Sequence, residues 1–503
     1  MPKVKELLHE MPNNMSKEDE ELVRRAFAFS EKAHEGQERY SGEPYFIHSF
    51  ETAKILASIN MSAVTVAAGI LHDVMEDSDV SEEELKEEFG AEIVFLVDGV
   101  TKLGKLRFQG LTRHAESLRK FFIATSKDIR VVIIKLADRL HNMHTLEHVP
   151  EHKRKRIAQE TLEIYAPLAY RLGIRKLTKE LEDLAFPYVY PEEAEKTQKI
   201  LQEREKDANA YVQKVYKLLK KKLAENGYRN AKTEFRTKGV YSLYKKLIRK
   251  DMDVERIHDL AAIRVIVPTV ADCYAVLGII HGTWRPLPGR VKDYIAFEKP
   301  NGYQSIHTDI FTGDGGIVEM QIRTEEMHRE AEFGIASHLS YKQGFRGNAV
   351  NPNLLWLRQL LPRSYSREKT ETEEWTRDVP SWVKELNEYQ EEAYGYEFLD
   401  NLKSDFMKHR IFVFTPKGEV VDLPKDSTPV DFAYSIHSDI GDHMSSAKVN
   451  GKMSSLSTPL QNGDIVEITT KKSAQPNRKW LDFVKTALAK RHIKLFLQKG
   501  ESK

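Results

Sequence analysis

WRPLPGRVKDYIAFEKPNGYQSIHTDIFTGDGGIVEMQIRT, from Trp284 to Thr324, is the stretch on which the reading of the chain turns. In its last run, IVEMQIR, apolar and polar residues alternate. Val318, Met320 and Ile322 therefore share one side of a strand, and Glu319, Gln321 and Arg323 share the other. The segment from Ser305 to Ile310 alternates too, which places Ser305, His307 and Asp309 together, and the Asn301-Gly302 turn before it delivers Tyr303 to the edge of the same sheet. Upstream, Arg290, Lys292 and Asp293 follow the Pro288-Gly289 turn, which suits a loop that offers cations to an anion. Any one of these residues fits the solvated face of an amphipathic sheet. The array as a whole points to phosphate handling.

Outward from this stretch, the 503 residues, 41% hydrophobic and 30% charged, are enough for three or four domains with their own cores. No run approaches the roughly 20 apolar residues of a membrane helix, and the charged start MPKVKELLHE lacks the apolar centre of a signal peptide, so a cytoplasmic location is expected. Cys273 is the only cysteine, which excludes an intrachain disulfide and a thiolate zinc site. The formal net charge of +1 conceals a basic block at 214–250, an acidic one at 371–400 and a basic tail after Lys471.

From residue 20 to about 146 the pattern is helical, with Gly36 and Gly90 as stops and Ser81 with Glu84 as a capping-box signature. His48, the pair His72-Asp73, and Asp138 come from three separate helices of this region. Two imidazoles and two carboxylates without a thiolate suit one of the harder first-row divalent cations. The helical period continues from 150 to 227, where the apolar stripe reads as core. After residue 228 short strands alternate with helices, which signals an α/β domain. Its entry, FRTKGVYSLYKKL, carries Arg236, Lys238, Tyr241, Ser242, Lys245 and Lys246, and IHDLAAIRVIV is a buried strand with Asp259 at its start. From 344 to 380 periodicity is weak, so a linker and then an acidic helix are expected. RIFVFTPKGEVVDLP reads as a hairpin turned at Pro416-Lys417-Gly418, STPVDFAYSIHSDIG as a capped helix stopped by Gly441, Asn450-Gly451 as a second hairpin, and NGDIVEITT as the closing strand of a small β-grasp fold.

R-x-K-D-Y-I, N-G-Y-Q-S-I-H-T and E-x-Q-I-R-T, in this order, resemble the synthetase domain of the long RelA/SpoT homologues, bacterial enzymes that make and degrade the alarmones (p)ppGpp. The histidine and aspartate set resembles the HD phosphohydrolase superfamily, narrowed by R-x-S-G-E-P-Y (39–45) and H-D-V-x-E-D (72–77) to the alarmone hydrolase domain. The β-grasp segment resembles the TGS domain. The resemblance implies a multidomain α and α/β architecture: an all-helical HD hydrolase domain at 1–149, a helical connector at 150–227 and a mixed-sheet, nucleotidyltransferase-like synthetase domain at 228–343. A linker and helix at 344–408, a TGS domain at 409–471 and the start of a basic helical region at 472–503 follow. Long members of the family continue further, which implies that this chain is part of a longer protein.

Carried over residue by residue, the resemblance makes His48, His72, Asp73 and Asp138 ligands of Mn2+, with Glu76 and Asp77 orienting or activating the attacking water and Arg39, Asn142 and Thr145 contacting the nucleotide. In the synthetase domain it implies transfer of the β,γ-pyrophosphate of ATP to the 3′-hydroxyl of GDP or GTP. Arg236 would stack on adenine and Lys238 and Lys246 would hold ATP phosphates, with Ser242 beside them. Asp259 and Glu319 would bind Mg2+, Glu319 would be the base and Tyr303 would stack on guanine. Arg290, Lys292, His307, Gln321 and Arg323 would neutralise or position phosphates. His437 falls where the TGS domain meets the acceptor end of deacylated tRNA on the ribosome. The loop R-V-K-D resembles the bifunctional branch rather than the acidic, synthetase-only one. Ser49, Tyr40 and Leu339 depart from the family pattern without removing a ligand.

The resemblance thus implies one enzyme with two opposed activities. Two other readings are a synthetase with a purely regulatory HD domain, against which the intact ligand set argues, and a ribosome-binding sensor with vestigial catalysis, against which Arg236 and Glu319 argue. A nucleotidyltransferase acting on nucleic acid would need an aromatic and basic track that this sequence lacks.

Overall fold

A computed structural model describes residues 2–11, 15–104, 128–237, 239–254, 257, 261–298, 303–313, 316–334, 336, 410–418, 420–461 and 463–501. Lys238, Asp259, Leu339, the Asn301-Gly302 turn and the expected linker and helix at 344–408 lie outside them. The chain divides into two compact units, Met1–Thr101 with Ile133–Arg346, and Lys102–Val132 with Gly347–Lys503. Among the described residues no helix is long and apolar enough to cross a membrane.

The first unit opens with helices, among them Lys17–Ala33, Phe46–Ser58, Ala63–Ile70, Glu82–Gly104 and Ile129–His144. Ser16 and Asp19 form a reciprocal capping box at the start of Lys17–Ala33, and the Glu84 amide donates to Ser81 Oγ (3.1 Å) as its spacing suggests. Gly69 lets Phe46–Ser58 and Ala63–Ile70 pack closely, because a Cβ there would collide with the Leu56 side chain. That close approach brings the His48 helix against the turn that carries His72.

The helical connector runs through Glu151–Glu160, a five-residue π-turn at Thr161–Tyr165, Ala166–Arg171, Arg175–Val189 and the 35-residue helix Pro191–Glu225. The second half of that last helix is not free-standing. Val212, Val215, Leu219 and Leu223 enter the core of the sheet that follows.

That sheet has the order β1-β2-β5-β4-β3, from Lys232–Thr237, Ala261–Val267, Lys292–Asp293, Ile306–Phe311 and Ile317–Thr324 for β1 to β5. β2 and β5 run parallel and the other pairs antiparallel. The face bearing Ile263, Val265, Ile306, Ile310, Val318, Met320 and Ile322 packs on Val270–Thr283 and on Pro191–Glu225. Each such side chain contributes on the order of 1.5–3 kcal/mol by leaving water. This fixes the register, and register decides which polar residues meet on the opposite face.

The second unit holds strands Arg410–Phe414 and Val420–Pro424 as one hairpin (β6, β7), and Met444–Val449, Lys452–Ser454 and Val466–Thr470 (β8 to β10) in the order β10-β8-β9. Asn450 and Gly451 both have positive φ (53° and 76°), as a tight two-residue hairpin requires. The expected helix is shorter than its sequence suggests. Pro429–Ile436 ends before His437, whose extended backbone (φ −165°, ψ 144°) breaks the helix and caps a second short one, Ser438–Asp442. The basic tail folds back onto this unit rather than starting a separate region, since Trp480, Val484, Leu488, Ala489 and Ile493 share a core with Val430, Ala433 and Tyr434. Buried Asp431 ties the two parts together: its carboxylate accepts from the Thr428 amide and hydroxyl (2.8 and 2.9 Å) and from the Thr486 amide and hydroxyl (2.7 and 2.8 Å). Asp431→Ala would strand these donors. The expected cost is on the order of 3 kcal/mol, read as earlier hydrogen exchange in the helix Ala487–Glu501; unchanged protection there would show that the apolar contacts alone hold it.

Candidate active sites

His48, His72, Asp73 and Asp138 converge in the helical part of the first unit. One donor atom each from His48, His72 and Asp138 lies within 4.8 Å of the others, and all three residues are buried. His48 Nε2 stands 3.2 Å from Asp138 Oδ1 and 3.5 Å from Asp73 Oδ2, and His72 Nε2 is 3.2 Å from Asp73 Oδ2. The outer nitrogens set the tautomers. His72 Nδ1 faces the Gly69 carbonyl (2.8 Å), an acceptor only, so Nδ1 carries a proton and Nε2 is the nitrogen left for a metal. His48 Nδ1 faces His141 Nδ1 (2.7 Å), which also lies 3.3 Å from the Arg39 guanidinium. Burial, with His48 and Arg39 beside it, holds His141 down to about 3, so its Nδ1 has one lone pair, which the nearer His48 Nδ1–H takes, and His48 Nε2 then points its lone pair inward.

The electrostatics suit a cation. Burial opposes ionisation of Asp73 and Asp138, yet His72 and His48 outweigh it at Asp73, and Lys135 with both imidazoles outweighs it at Asp138, so both stay well below the usual carboxylate range. Burial disfavours protonated His72, but Asp73 and Asp138 lift it to about 8, so without a cation Nε2 also carries a proton, which a bound metal would displace. His72 Nε2 is buried without a hydrogen-bond partner. A buried histidine-histidine-aspartate set with an orphaned nitrogen, ionised carboxylates and outer partners that fix each imidazole fits a divalent metal.

Glu76 and Asp77 end the short turn Val74–Asp77 at the exposed rim, and Asp77 Oδ2 accepts from the Tyr45 hydroxyl (2.6 Å), which also reaches Asp73 Oδ2 (3.0 Å). Arg39 gathers the remaining expected residues, with its guanidinium on Asn142 Oδ1 (2.6 Å) and Thr145 Oγ1 (3.3 Å).

The second site lies on the polar face of the sheet. Register aligns Glu234, Arg264, Gln321, His307 and Lys292 in one row across β1 to β3, and Arg236, Ala262, Glu319 and Asp309 in the next. Arg236 donates to Gln321 Oε1 (3.2 Å), His307 Nδ1 lies 2.8 Å from Glu319 Oε1, and the Tyr303 hydroxyl lies 2.8 Å from His307 Nε2. Arg290 and Lys292 are exposed at one edge. Ser242 and Lys246 lie one turn apart on Val240–Arg249, whose start is held by Asp183 (Tyr241 amide to Oδ1, 3.0 Å) and whose Lys245 pairs with Glu182 (2.7 Å).

Three expected residues, Gln321, Arg323 and Tyr303, are more enclosed than an open sheet face implies. Arg323 is 1% exposed, with its guanidinium on Glu332 (3.1 Å) and His328 (2.8 Å), and Glu332 also holds Arg264 (3.2 Å). Tyr303 is 2% exposed, and the Arg175 guanidinium lies 3.9 Å above its ring. Arg175 starts a connector helix, so the connector closes over this part of the site. The contact is close: Gly334 (φ 53°) has no room for a Cβ, which would strike Leu172 O and Gly173. In the second unit His437 is exposed and accepts from the Asp439 amide (3.2 Å).

Comparison with known proteins bears on both clusters. Residues 26–175 match the HD domain, residues 235–346 the region found in RelA / SpoT proteins and residues 411–470 the TGS domain. The chain belongs to the RelA/SpoT homologues. It is 45% identical over 96% of its length to a GTP pyrophosphokinase of Myxococcus xanthus and 45% identical over 96% to a guanosine-3′,5′-bis(diphosphate) 3′-pyrophosphohydrolase of Aquifex aeolicus. A protein with the latter name from Haemophilus influenzae is 42% identical over 93% of the chain. The chain spans 61%, 65% and 66% of the length of these three relatives.

In this RelA/SpoT homologue, sequence reasoning missed Tyr45, Lys135, His141, Arg175, Arg264 and Glu332. His141 and Lys135 lie three residues either side of Asp138, so helical spacing could have found them. Arg175 carries no local signal at all.

Proposed function

We propose that this RelA/SpoT homologue is a bifunctional alarmone enzyme that transfers pyrophosphate from ATP to the 3′-hydroxyl of GDP or GTP and hydrolyses (p)ppGpp to GDP or GTP and pyrophosphate. The observation that carries the reading is the convergence within each candidate cluster: His48, His72 and Asp138 bring one donor atom each within 4.8 Å of the others, and Glu319 shares a sheet face with Arg236, Gln321 and His307.

In the hydrolase site His48, His72, Asp73 and Asp138 would hold one Mn2+, which would supply Lewis acidity towards water and the leaving pyrophosphate. Asp77 and Glu76 orient the attacking water from the rim, and Arg39, Asn142 and Thr145 bind the nucleotide. In the synthetase site Glu319 takes the proton of the nucleotide 3′-hydroxyl, Tyr303 stacks on guanine, and Arg236 stacks on adenine. Arg290, Lys292, Lys246 and Lys238 meet phosphates, and Asp259 and Glu319 would hold Mg2+, which would supply positive charge to the ATP phosphates. The TGS domain, with His437, contacts deacylated tRNA on the ribosome, and the protein works in the cytoplasm. The test is product analysis of the purified chain, first with Mn2+ and ppGpp, then with Mg2+, ATP and GDP; pyrophosphate release in the first and ppGpp in the second are expected.

The Arg175 contact adds a prediction. If guanine uses the ring face that Arg175 covers, the two compete, and Arg175→Ala should bind GDP severalfold more tightly by calorimetry, in line with a cation–π contact of about 1 kcal/mol. Weaker binding would make Arg175 a partner of the nucleotide and not its competitor.

A further inference from the structure

The Tyr303 hydroxyl, the His307 imidazole and the Glu319 carboxylate form one line of hydrogen bonds, 2.8 Å from Oη to Nε2 and 2.8 Å from Nδ1 to Oε1. Its direction follows from chemistry. An ionised carboxylate only accepts, so His307 Nδ1 carries the ring proton. Nε2 is then an acceptor for the phenolic hydrogen; against its burial, His307, Arg175 and Arg323 draw the phenol down to about 7, and where it ionises the same 2.8 Å bond runs from a protonated Nε2 to Oη.

The fold makes this line stiff. Asp309 is opposite Glu319 and Gln321 is opposite His307, so His307 and Glu319 are diagonal neighbours on one face, within reach of an imidazole. On the reverse face Thr308 Oγ1 meets His281 Nε2 (2.9 Å), which pins β4 from behind. The Tyr294 ring stands edge-on to the imidazole (5.3 Å, 88°) and fixes its plane. Tyr303 is held from above by Arg175 (3.9 Å).

We infer that His307 and the Tyr303 hydroxyl are positioning residues for Glu319 in nucleotide synthesis: they fix the carboxylate's orientation and couple it to the ring on which guanine stacks. The inference rests on the synthetase reading above and gives Tyr303 two separable jobs. The ring face carries affinity for the base. The hydroxyl, through His307, aims the group that receives the 3′-hydroxyl proton, so a nucleotide that seats on the ring also firms up the carboxylate it needs. A line of this kind needs no change of charge on His307 or Tyr303; it acts by restricting the rotamers of Glu319.

The test is steady-state synthesis by the full chain with Mg2+, ATP and GDP. Tyr303→Phe keeps the ring and removes only the hydroxyl, so kcat should fall about ten- to a hundredfold while KM for GDP stays within about twofold. Tyr303→Ala should also raise KM for GDP. His307→Gln should lower kcat, and the double variant Tyr303→Phe with His307→Gln should be no slower than His307→Gln alone, because the hydroxyl acts only through the imidazole. Unfolding midpoints of all variants are compared with wild type, and Tyr303→Phe, which buries no new polar group, serves as the decisive variant if His307→Gln fails to fold. An unchanged kcat in Tyr303→Phe, a change confined to KM, or losses that add in the double variant would each overturn the inference. A wild-type chain that makes no ppGpp overturns the synthetase reading and this with it; a wild type that makes ppGpp and a Tyr303→Phe variant that matches it overturn the inference alone.

Discussion

An Asp73→Asn chain is expected to release no measurable pyrophosphate from ppGpp while making ppGpp from ATP and GDP at close to the wild-type rate. Asp73 Oδ2 lies 3.2 and 3.5 Å from the Nε2 atoms of His72 and His48, the nitrogens whose lone pairs a bound cation would use. The carboxamide removes one negative charge from the donor set and can turn an N–H towards those lone pairs. Either change weakens a bound divalent cation, and loss of a charged ligand cripples the activation of water. Synthesis should be spared because Glu319, His307 and Gln321 belong to the sheet, not to this helical cluster. Product analysis with Mn2+ decides it: hydrolysis at a comparable rate in the variant would remove Asp73 from the metal set.

Glu319→Gln is expected to lower ATP-to-GDP transfer on the order of a hundredfold or more. The glutamine keeps the size and an oxygen that can accept from His307 Nδ1, so the line through His307 to Tyr303 can persist. What disappears is the basic oxygen and a negative charge. Initial-rate measurement of ppGpp formation is the check, with GDP binding by calorimetry as the control; synthesis retained at the wild-type rate would mean that another group takes the proton.

Much of this was legible in the sequence wherever a periodic pattern had a single solution. Alternation in IVEMQIR placed Val318, Met320 and Ile322 in the core and Glu319 on the opposite face, and the structure agrees. The same rule marks Gln321 and Arg323 as outward, yet both are buried. The reason is physical: alternation assigns a face to each residue but says nothing of what lies on that face, and here Glu332 and His328 follow β5 back over Arg323. The break at His437 was missed because the run around it has helical composition throughout, and one extended residue costs little when its own side chain caps the next turn. Asp138 was found through its neighbours in LADRLHNM, whereas the tautomers of His48 and His72 depend on Gly69 and His141, whose distances no spacing rule supplies.

The guanidinium of Arg175 over the Tyr303 ring can be restated as a question of population. A side chain tethered beside its target acts as an internal ligand, and a nucleotide that needs the same face binds only the fraction of molecules in which that face is bare. Its apparent dissociation constant is the intrinsic one divided by that fraction, so a ring covered nine-tenths of the time weakens apparent affinity about tenfold without any change in the nucleotide contacts. The setting of that fraction lies outside the sheet. It lies in the helix Arg175–Val189 and in the π-turn Thr161–Tyr165 that precedes it, where Tyr165 also stacks under Arg139, next to Asp138 (4.2 Å to the ring centre). If guanine takes that ring face, substitutions far from either cluster would therefore retune the nucleotide concentration at which the proposed synthetase site fills, while every residue proposed to touch nucleotide stays the same.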